Sequence, residues 1–274
     1  MPPPSRHRLE DVFVRLRREG RKAFVAYITA GDPNLRATER LAFELERAGV
    51  DVLELGVPFS DPLADGVVNQ LAAERALRAG ATLRGLLRAV SALRRRGLRL
   101  PIVFFTYFNP IHRYGVARFV RDAAAAGADG ALVLDLPVEE SAVWRKLMER
   151  AGLCAISLIA PTTPAARARQ IARAARGFIY YVSREGVTGE RPRLAAGLGR
   201  RVALLRRAAG RTPIVIGFGI STPAQVRAAA ALADGCVVGS AIVRRIAEIG
   251  DRPSLAPSVG RLVRKLTTPL KSAA

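Results

Sequence analysis

Two acidic side chains stand where acids are costly. In the run Asp51-Val52-Leu53-Glu54-Leu55-Gly56, period-two alternation puts Glu54 on the face shared with Val52 and Gly56. A carboxylate on so apolar a strand must be paired, protonated or used, so a core ion pair with an arginine and general acid–base catalysis both fit it. The second acid, Asp65, closes the stiff loop Pro58-Phe59-Ser60-Asp61-Pro62-Leu63-Ala64-Asp65-Gly66. From the residues alone, an Asx turn or the N-cap of a following helix accounts for it better than a catalytic place does. If both act, they suit acid–base chemistry on one substrate: the strand carboxyl is held protonated by its apolar surroundings, and the one on the wetter loop stays ionised.

A second chemistry lies near the other end of the chain. Gly217-Phe218-Gly219-Ile220-Ser221 and Gly239-Ser240-Ala241-Ile242-Val243 each follow a strand-like run. Glycines let the backbone approach a ligand, and the N–H groups that open a helix favour an anion, so these turns can cradle a phosphate. His7 and His112 are the only histidines. They leave little material for a histidine-based metal site or a catalytic triad, and no metal is expected. Cys154 and Cys236 sit in apolar runs and read as small buried hydrophobes rather than a disulfide.

Eight short runs rich in β-branched and aromatic residues could position these groups: 22–29, 51–57, 101–107, 130–136, 153–159, 177–183, 212–218 and 235–240. Between them the pattern turns to Ala, Leu and Arg at helical spacing, which predicts a parallel sheet covered by helices. Four helix ends share an Ala-Gly signature, at Ala48-Gly49, Ala126-Gly127, Ala151-Gly152 and Ala209-Gly210. Eight βα units are the number that closes a (β/α)₈ TIM barrel, although an open doubly wound sheet has the same periodicity. Extra helices are expected before the first strand, where Leu9, Val12, Phe13 and Leu16 form one stripe, and between the second and third strands, over 72–78 and 83–96. No linker divides the chain, so residues 1–274 are expected to form a single barrel domain.

The net charge of +21 arises from 44 basic residues, 40 of them arginine, against 23 acids. The arginines spread over nearly every helical segment, and runs such as Arg94-Arg95-Arg96 fall near helix C-termini, where the dipole favours cations. This distribution reads as solvated helix faces rather than a nucleic-acid footprint, and the field it creates helps to attract an anionic substrate. Apolar residues make up half of the chain and aromatic ones only 6%, so the core rests on Ala, Val, Leu and Ile. No apolar stretch suits a signal peptide or a membrane span, and the cytoplasm is the expected location.

The stretch from Leu53 to Gly66, LELGVPFSDPLADG, resembles the signature of the tryptophan synthase alpha subunit family. Thr29-Ala30-Gly31-Asp32-Pro33, Thr106-Tyr107-Phe108-Asn109-Pro110, Asp135-Leu136-Pro137-Val138-Glu139-Glu140 and the segment Tyr180 to Gly189 extend the likeness over nearly the whole chain. The resemblance implies a TIM barrel that cleaves indole-3-glycerol phosphate into indole and glyceraldehyde 3-phosphate by a retro-aldol reaction. It implies Glu54 and Asp65 as the catalytic carboxyls, with Tyr180 orienting the reacting groups. Tyr27, Phe105, Leu132, Thr188, Gly189, Phe218, Gly219, Gly239 and Ser240 are the implied substrate-binding positions. A lid over 184–194 is implied as well, with Thr188 reaching Asp65 on closure. The chain itself needs no cofactor on this reading, since pyridoxal phosphate belongs to the tryptophan synthase beta subunit, the expected partner in an α2β2 complex. A stand-alone lyase that releases free indole would share the same site. Val67-Val68-Asn69 departs from the family, which usually has Pro after Gly66 and an apolar residue where Asn69 stands, and the segment Arg191 to Arg207 is less family-like.

Overall fold

All eight β-rich runs form strands, and each covalent step from one to the next passes over the outside of the sheet through helix. The computed structural model describes residues 7–182, 197–217 and 219–271. The strands are β1 (Ala23–Thr29), β2 (Val52–Gly56), β3 (Ile102–Thr106), β4 (Gly130–Val133), β5 (Cys154–Ile159), β6 (Ile179–Val182), β7 (Ile214–Gly217) and β8 (Gly235–Val238). They pair parallel in sequence order, and β8 returns to β1, so the barrel is closed and the doubly wound alternative is excluded. The fourth strand is shorter than the sequence pattern suggests. The Leu134 N–H still donates to the Thr106 carbonyl at 2.9 Å, but beyond it the backbone leaves the ladder, and the Asp135 carboxylate accepts the N–H of Phe108 at 2.6 Å.

Alternation along each strand sorts the core into two shells. Phe24, Ala26 and Ile28 point outward and meet helix residues such as Leu41, Leu45 and Val259, whereas Ala23, Val25 and Tyr27 point into the barrel with Val52, Val103, Val215 and Val237. The helix α1 (Arg8–Arg18) plugs the N-terminal end: Leu9, Phe13 and Leu16 join the inner shell, and the Phe13 ring lies 5.7 Å from that of Phe178. The expected pair between β2 and β3 is present as α3 (Val67–Arg78) and α4 (Leu83–Arg95). A second pair, α5 (Phe108–Tyr114) and α6 (Val116–Ala126), was not foreseen; Gly115, with φ of 94°, breaks what would otherwise read as one helix. The remaining helices are α7 (Ala142–Arg150), α8 (Ala165–Ala174), α9 (Leu198–Ala209), α10 (Pro223–Leu232), α11 (Ser240–Ile249) and α12 (Leu255–Thr267), the last packing on α2 (Leu35–Arg47). Both cysteines are free and buried.

The end of the barrel opposite the candidate site is held by a repeated clamp. Asp51, Asp129 and Asp234 each stand just before a strand, and each carboxylate accepts the N–H of a residue on the neighbouring strand: Phe24 at 2.9 Å, Ile102 at 2.8 Å and Ile214 at 2.9 Å. The same aspartates donate their own N–H groups back to the carbonyls of those three residues, at 2.9, 2.8 and 2.8 Å. Asp129 also accepts from Arg8 at 2.9 Å and from Arg94 at 2.8 Å. Arg94 continues to the carbonyls of Gly127, Leu98 and Leu100, so it is not the solvated cation that its charge run suggests but a tie at the foot of the barrel. Asp129→Ala strands a buried backbone N–H and a largely buried guanidinium, and should cost about 3 kcal/mol of stability. Chemical denaturation checks this; a loss under about 0.5 kcal/mol, the size of an ordinary surface substitution, would show the clamp to be ornamental.

Candidate active site

Glu54 stands on β2 with its side chain inside the barrel, between its register neighbours Tyr27 on β1 and Val103 on β3. It is fully buried, and neither carboxyl oxygen has a hydrogen-bond partner among the described residues. The core ion pair that the strand pattern also allowed is therefore absent there. Burial alone pushes its pKa from the ordinary 4.5 up to about 8, which leaves it a neutral acid at pH 7.

Asp65 reaches the same region from the loop after β2. The N-cap of α3 is Gly66, which leaves the Asp65 side chain free for other partners. The Tyr107 hydroxyl donates to its Oδ2 at 2.9 Å and the Asn69 amide to its Oδ1 at 3.4 Å. The loop is pinned at two further points, since Ala64 N–H donates to the Tyr107 hydroxyl at 3.0 Å and the Gln70 amide donates to the Asp65 carbonyl at 2.8 Å. The expected wet surroundings are not found, because Asp65 is only 8% exposed. Desolvation raises its pKa, and the two donors oppose that rise. The two carboxyls differ in partners rather than in burial.

Above the level of Glu54, which is not itself among the lining residues, lies a cavity of about 200 Å³. Tyr27, Phe105 and Tyr180 supply its aromatic wall, with the Tyr27 and Phe105 rings edge to face at 5.1 Å. Two strand glycines make that wall possible. A Cβ on Gly56 would collide with the Tyr27 hydroxyl, and one on Gly217 with the Tyr180 hydroxyl. Opposite the carboxyls, Gly219 (φ of 72°), Gly239 and Ser240 line the same cavity, and Ser240 opens α11. One cavity thus has an apolar middle, a carboxylate at one side and a helix N-terminus at another, which suits a planar apolar ring joined to an anionic group.

Of the sequence-derived positions, Asp65, Tyr27, Phe105, Tyr180, Gly219, Gly239 and Ser240 line this cavity. Leu132 is fully buried below it, and Leu134, two residues further along the chain, takes the wall position. Thr188, Gly189, Phe218 and the 184–194 segment lie outside the described residues. Sequence reasoning missed Tyr107 as a partner of Asp65; a tyrosine just past β3, level with the loop after β2, was the available signal. It also missed Leu158, Val182 and Val237, since apolar residues at strand ends look like core. A larger cavity, about 490 Å³, opens between α7, α8 and the ends of β4 and β5, but it contains neither carboxyl.

A closed (β/α)₈ barrel with a neutral buried acid and an anion-ready turn at the C-terminal strand ends defines a barrel enzyme of the acid–base kind. Comparison with known proteins makes this specific. Residues 13–267 match the family model for the tryptophan synthase alpha chain. The tryptophan synthase alpha chain of Geobacter sulfurreducens is 52% identical over 86% of this chain and 89% of its own, and that of Geotalea daltonii is 48% identical over 89% and 92%. Among solved structures, Mycobacterium tuberculosis tryptophan synthase aligns with a TM-score of 0.87 at 36% identity, over 97% of this chain and 98% of the other. The alpha subunit from Legionella pneumophila aligns at 0.86 and 36%, over 97% and 99%. The chain belongs to the tryptophan synthase alpha chain family, and it is a lyase acting on indole-3-glycerol phosphate.

The isolation of Glu54 has a thermodynamic consequence. Its folded value of about 8 lies above its ordinary 4.5, so the folded state keeps a proton that the unfolded chain releases. The resulting stability is fully present below the lower value and is lost as pH rises through the higher one. In thermal melts from pH 5 to 9, wild type should therefore lose stability relative to Glu54→Gln, with the difference levelling off above pH 8. Parallel curves would mean that Glu54 titrates alike in both states.

Proposed function

We propose that Glu54 and Asp65 divide the cleavage of indole-3-glycerol phosphate between them; the carrying observation is a neutral, unpartnered carboxyl inside the barrel beneath a cavity whose wall includes a hydrogen-bonded carboxylate. Protonated Glu54 donates its proton to C3 of the indole ring, which leaves positive charge on the ring nitrogen. Asp65 accepts the hydrogen bond of that N–H, an interaction stronger after C3 protonation than before and therefore one that lowers the barrel's transition-state energy. Glu54, now a carboxylate, takes the proton of the glycerol hydroxyl as the carbon–carbon bond breaks. Indole leaves with its aromatic electrons restored, the aldehyde of glyceraldehyde 3-phosphate forms, and Glu54 is again protonated. Tyr180 positions the reacting carbon chain, and Tyr27, Phe105, Leu132 and Phe218 shape the ring site. Gly189, Gly219, Gly239 and Ser240 hold the phosphate, and Thr188 is the lid contact.

The wider assignment rests on family membership. An alpha chain implies a tryptophan synthase beta subunit as partner. On our reading residues 1–274 act as one barrel domain in a cytoplasmic α2β2 complex, the indole passing to a beta subunit that carries pyridoxal phosphate. Among the described residues no helix is long and apolar enough to cross a membrane.

Glu54→Gln should abolish indole formation by the full chain while binding of glyceraldehyde 3-phosphate persists; turnover within about tenfold of wild type, a loss of only ~1.4 kcal/mol in barrier, would end the assignment. The wild-type rate should fall as pH rises past about 8, where Glu54 loses the proton it must donate. A charge at residue 240 separates phosphate binding from folding. Ser240→Glu puts a carboxylate at the start of α11, where the helix dipole welcomes it and a bound phosphate does not. Its melting temperature should hold or rise while KM increases at least about tenfold. An unchanged KM would place the phosphate elsewhere.

A further inference from the structure

Beside Asp65 stands a polar side chain that packing does not explain. Asn69 sits in the first turn of α3, with its backbone N–H donating to the Gly66 carbonyl at 2.9 Å, and its side chain lines the cavity. Its amide nitrogen is turned toward Asp65 Oδ1 at 3.4 Å, and its own Oδ1 is buried with no hydrogen-bond partner among the described residues. Burying an amide oxygen without a donor is destabilising. Flipping the amide would bring that oxygen against the carboxylate, so the orientation is dictated by Asp65, and the orphaned oxygen is its consequence. An aliphatic side chain of similar volume would bury no orphan at all. Asn69 is therefore poor packing chemistry but suitable support for an anion.

The surroundings of Asp65 show why support is needed. The groups facing it are Tyr107 at the end of β3, Tyr27 on β1, Tyr180 on β6 and, deeper, Glu54 on β2. None carries a positive charge, and no ion pair to Asp65 exists among the described residues. Among the described residues, two neutral donors, one on each carboxylate oxygen, offset its burial. We infer that Asn69 is a positioning residue that holds Asp65 as an oriented carboxylate, with Tyr107 on the other oxygen, and leaves an open lone pair on Oδ1 for the N–H of the substrate ring. This rests on the role proposed for Asp65 above. On this reading Asn69 sets the working pH range of the enzyme rather than merely a stretch of its pocket wall.

The test is the pH profile of indole formation by the full chain. Asn69→Leu removes the donor and the orphan together, so thermal stability should hold or rise. The acid limb of kcat/KM, where activity is lost as Asp65 takes up a proton, should move up by about one pH unit, equivalent to a tenfold loss of ionised form on that limb. The alkaline side should stay within about twofold of wild type, a difference of less than ~0.5 kcal/mol. In an Asp65→Asn background, Asn69→Leu should have no further effect, since the group it acts through is gone. Asn69→Ala provides the same readings if Leu is not accommodated. An unmoved acid limb beside a slowed Asp65→Asn variant overturns this inference alone, as does an equal effect in both backgrounds. An Asp65→Asn variant as active as wild type removes the parent reading and this one together.

Discussion

A carboxyl group without a partner inside a closed barrel is the constraint around which the molecule is arranged. The period-two rule leaves the side chain of Glu54 no direction but inward, and the closed ring of strands keeps water from it. A buried carboxylate without a counter-charge is among the most expensive groups a protein can hold, so the group stays protonated instead. Its chemical usefulness and its cost to stability have the same origin. A guanidinium placed beside it would lower the cost and remove the acid.

The two ends of the barrel manage charge in opposite ways. At the N-terminal end, aspartates bond the backbone of the next strand and are answered by arginines, as in the Asp129, Arg94 and Arg8 cluster. Each of the aspartates at 51, 129 and 234 is bonded within the fold. At the C-terminal end, among the described residues, the Asp65 carboxylate meets a tyrosine and an amide but no cation, and both carboxyl oxygens of Glu54 and the side-chain oxygen of Asn69 have no partner. Unpaired groups gathered at one end are what a site awaiting a polar ligand requires, because the substrate then supplies the missing partners. The glycines follow the same division. Gly56 and Gly217 yield their side-chain space to the hydroxyls of Tyr27 and Tyr180, so the cavity wall is aromatic where the strands themselves are bare.

Asp65 shows how an expectation can be right about the residue and wrong about its setting. A loop flanked by prolines and ending in Asp-Gly suggests exposure, and a following helix suggests an N-cap. The structure assigns the cap to Gly66 and folds Asp65 under Tyr107 and Asn69, residues that are 42 and 4 positions away. Arg94 is the converse case. Its run of three arginines reads as solvated, yet only its neighbours Arg95 and Arg96 fit that description, while Arg94 turns in to the barrel's foot.

Local pattern alone determined the number of strands, their parallel sense and the inward direction of Glu54, because strand period and helix period are properties of contiguous residues. The glycine turns and the start of α11 were legible for the same reason, and the LELGVPFSDPLADG stretch was long enough to point to the family. What contiguous residues could not decide was closure of the sheet, which depends on β8 meeting β1 some 200 residues away. Nor could they decide the partners of each charge. Whether Glu54 met an arginine, whether Asp65 met water or a tyrosine, and whether the Asn69 oxygen met anything were settled by strands and loops brought together from across the chain. Burial and pairing set the protonation state of a carboxyl, and both are facts of tertiary contact.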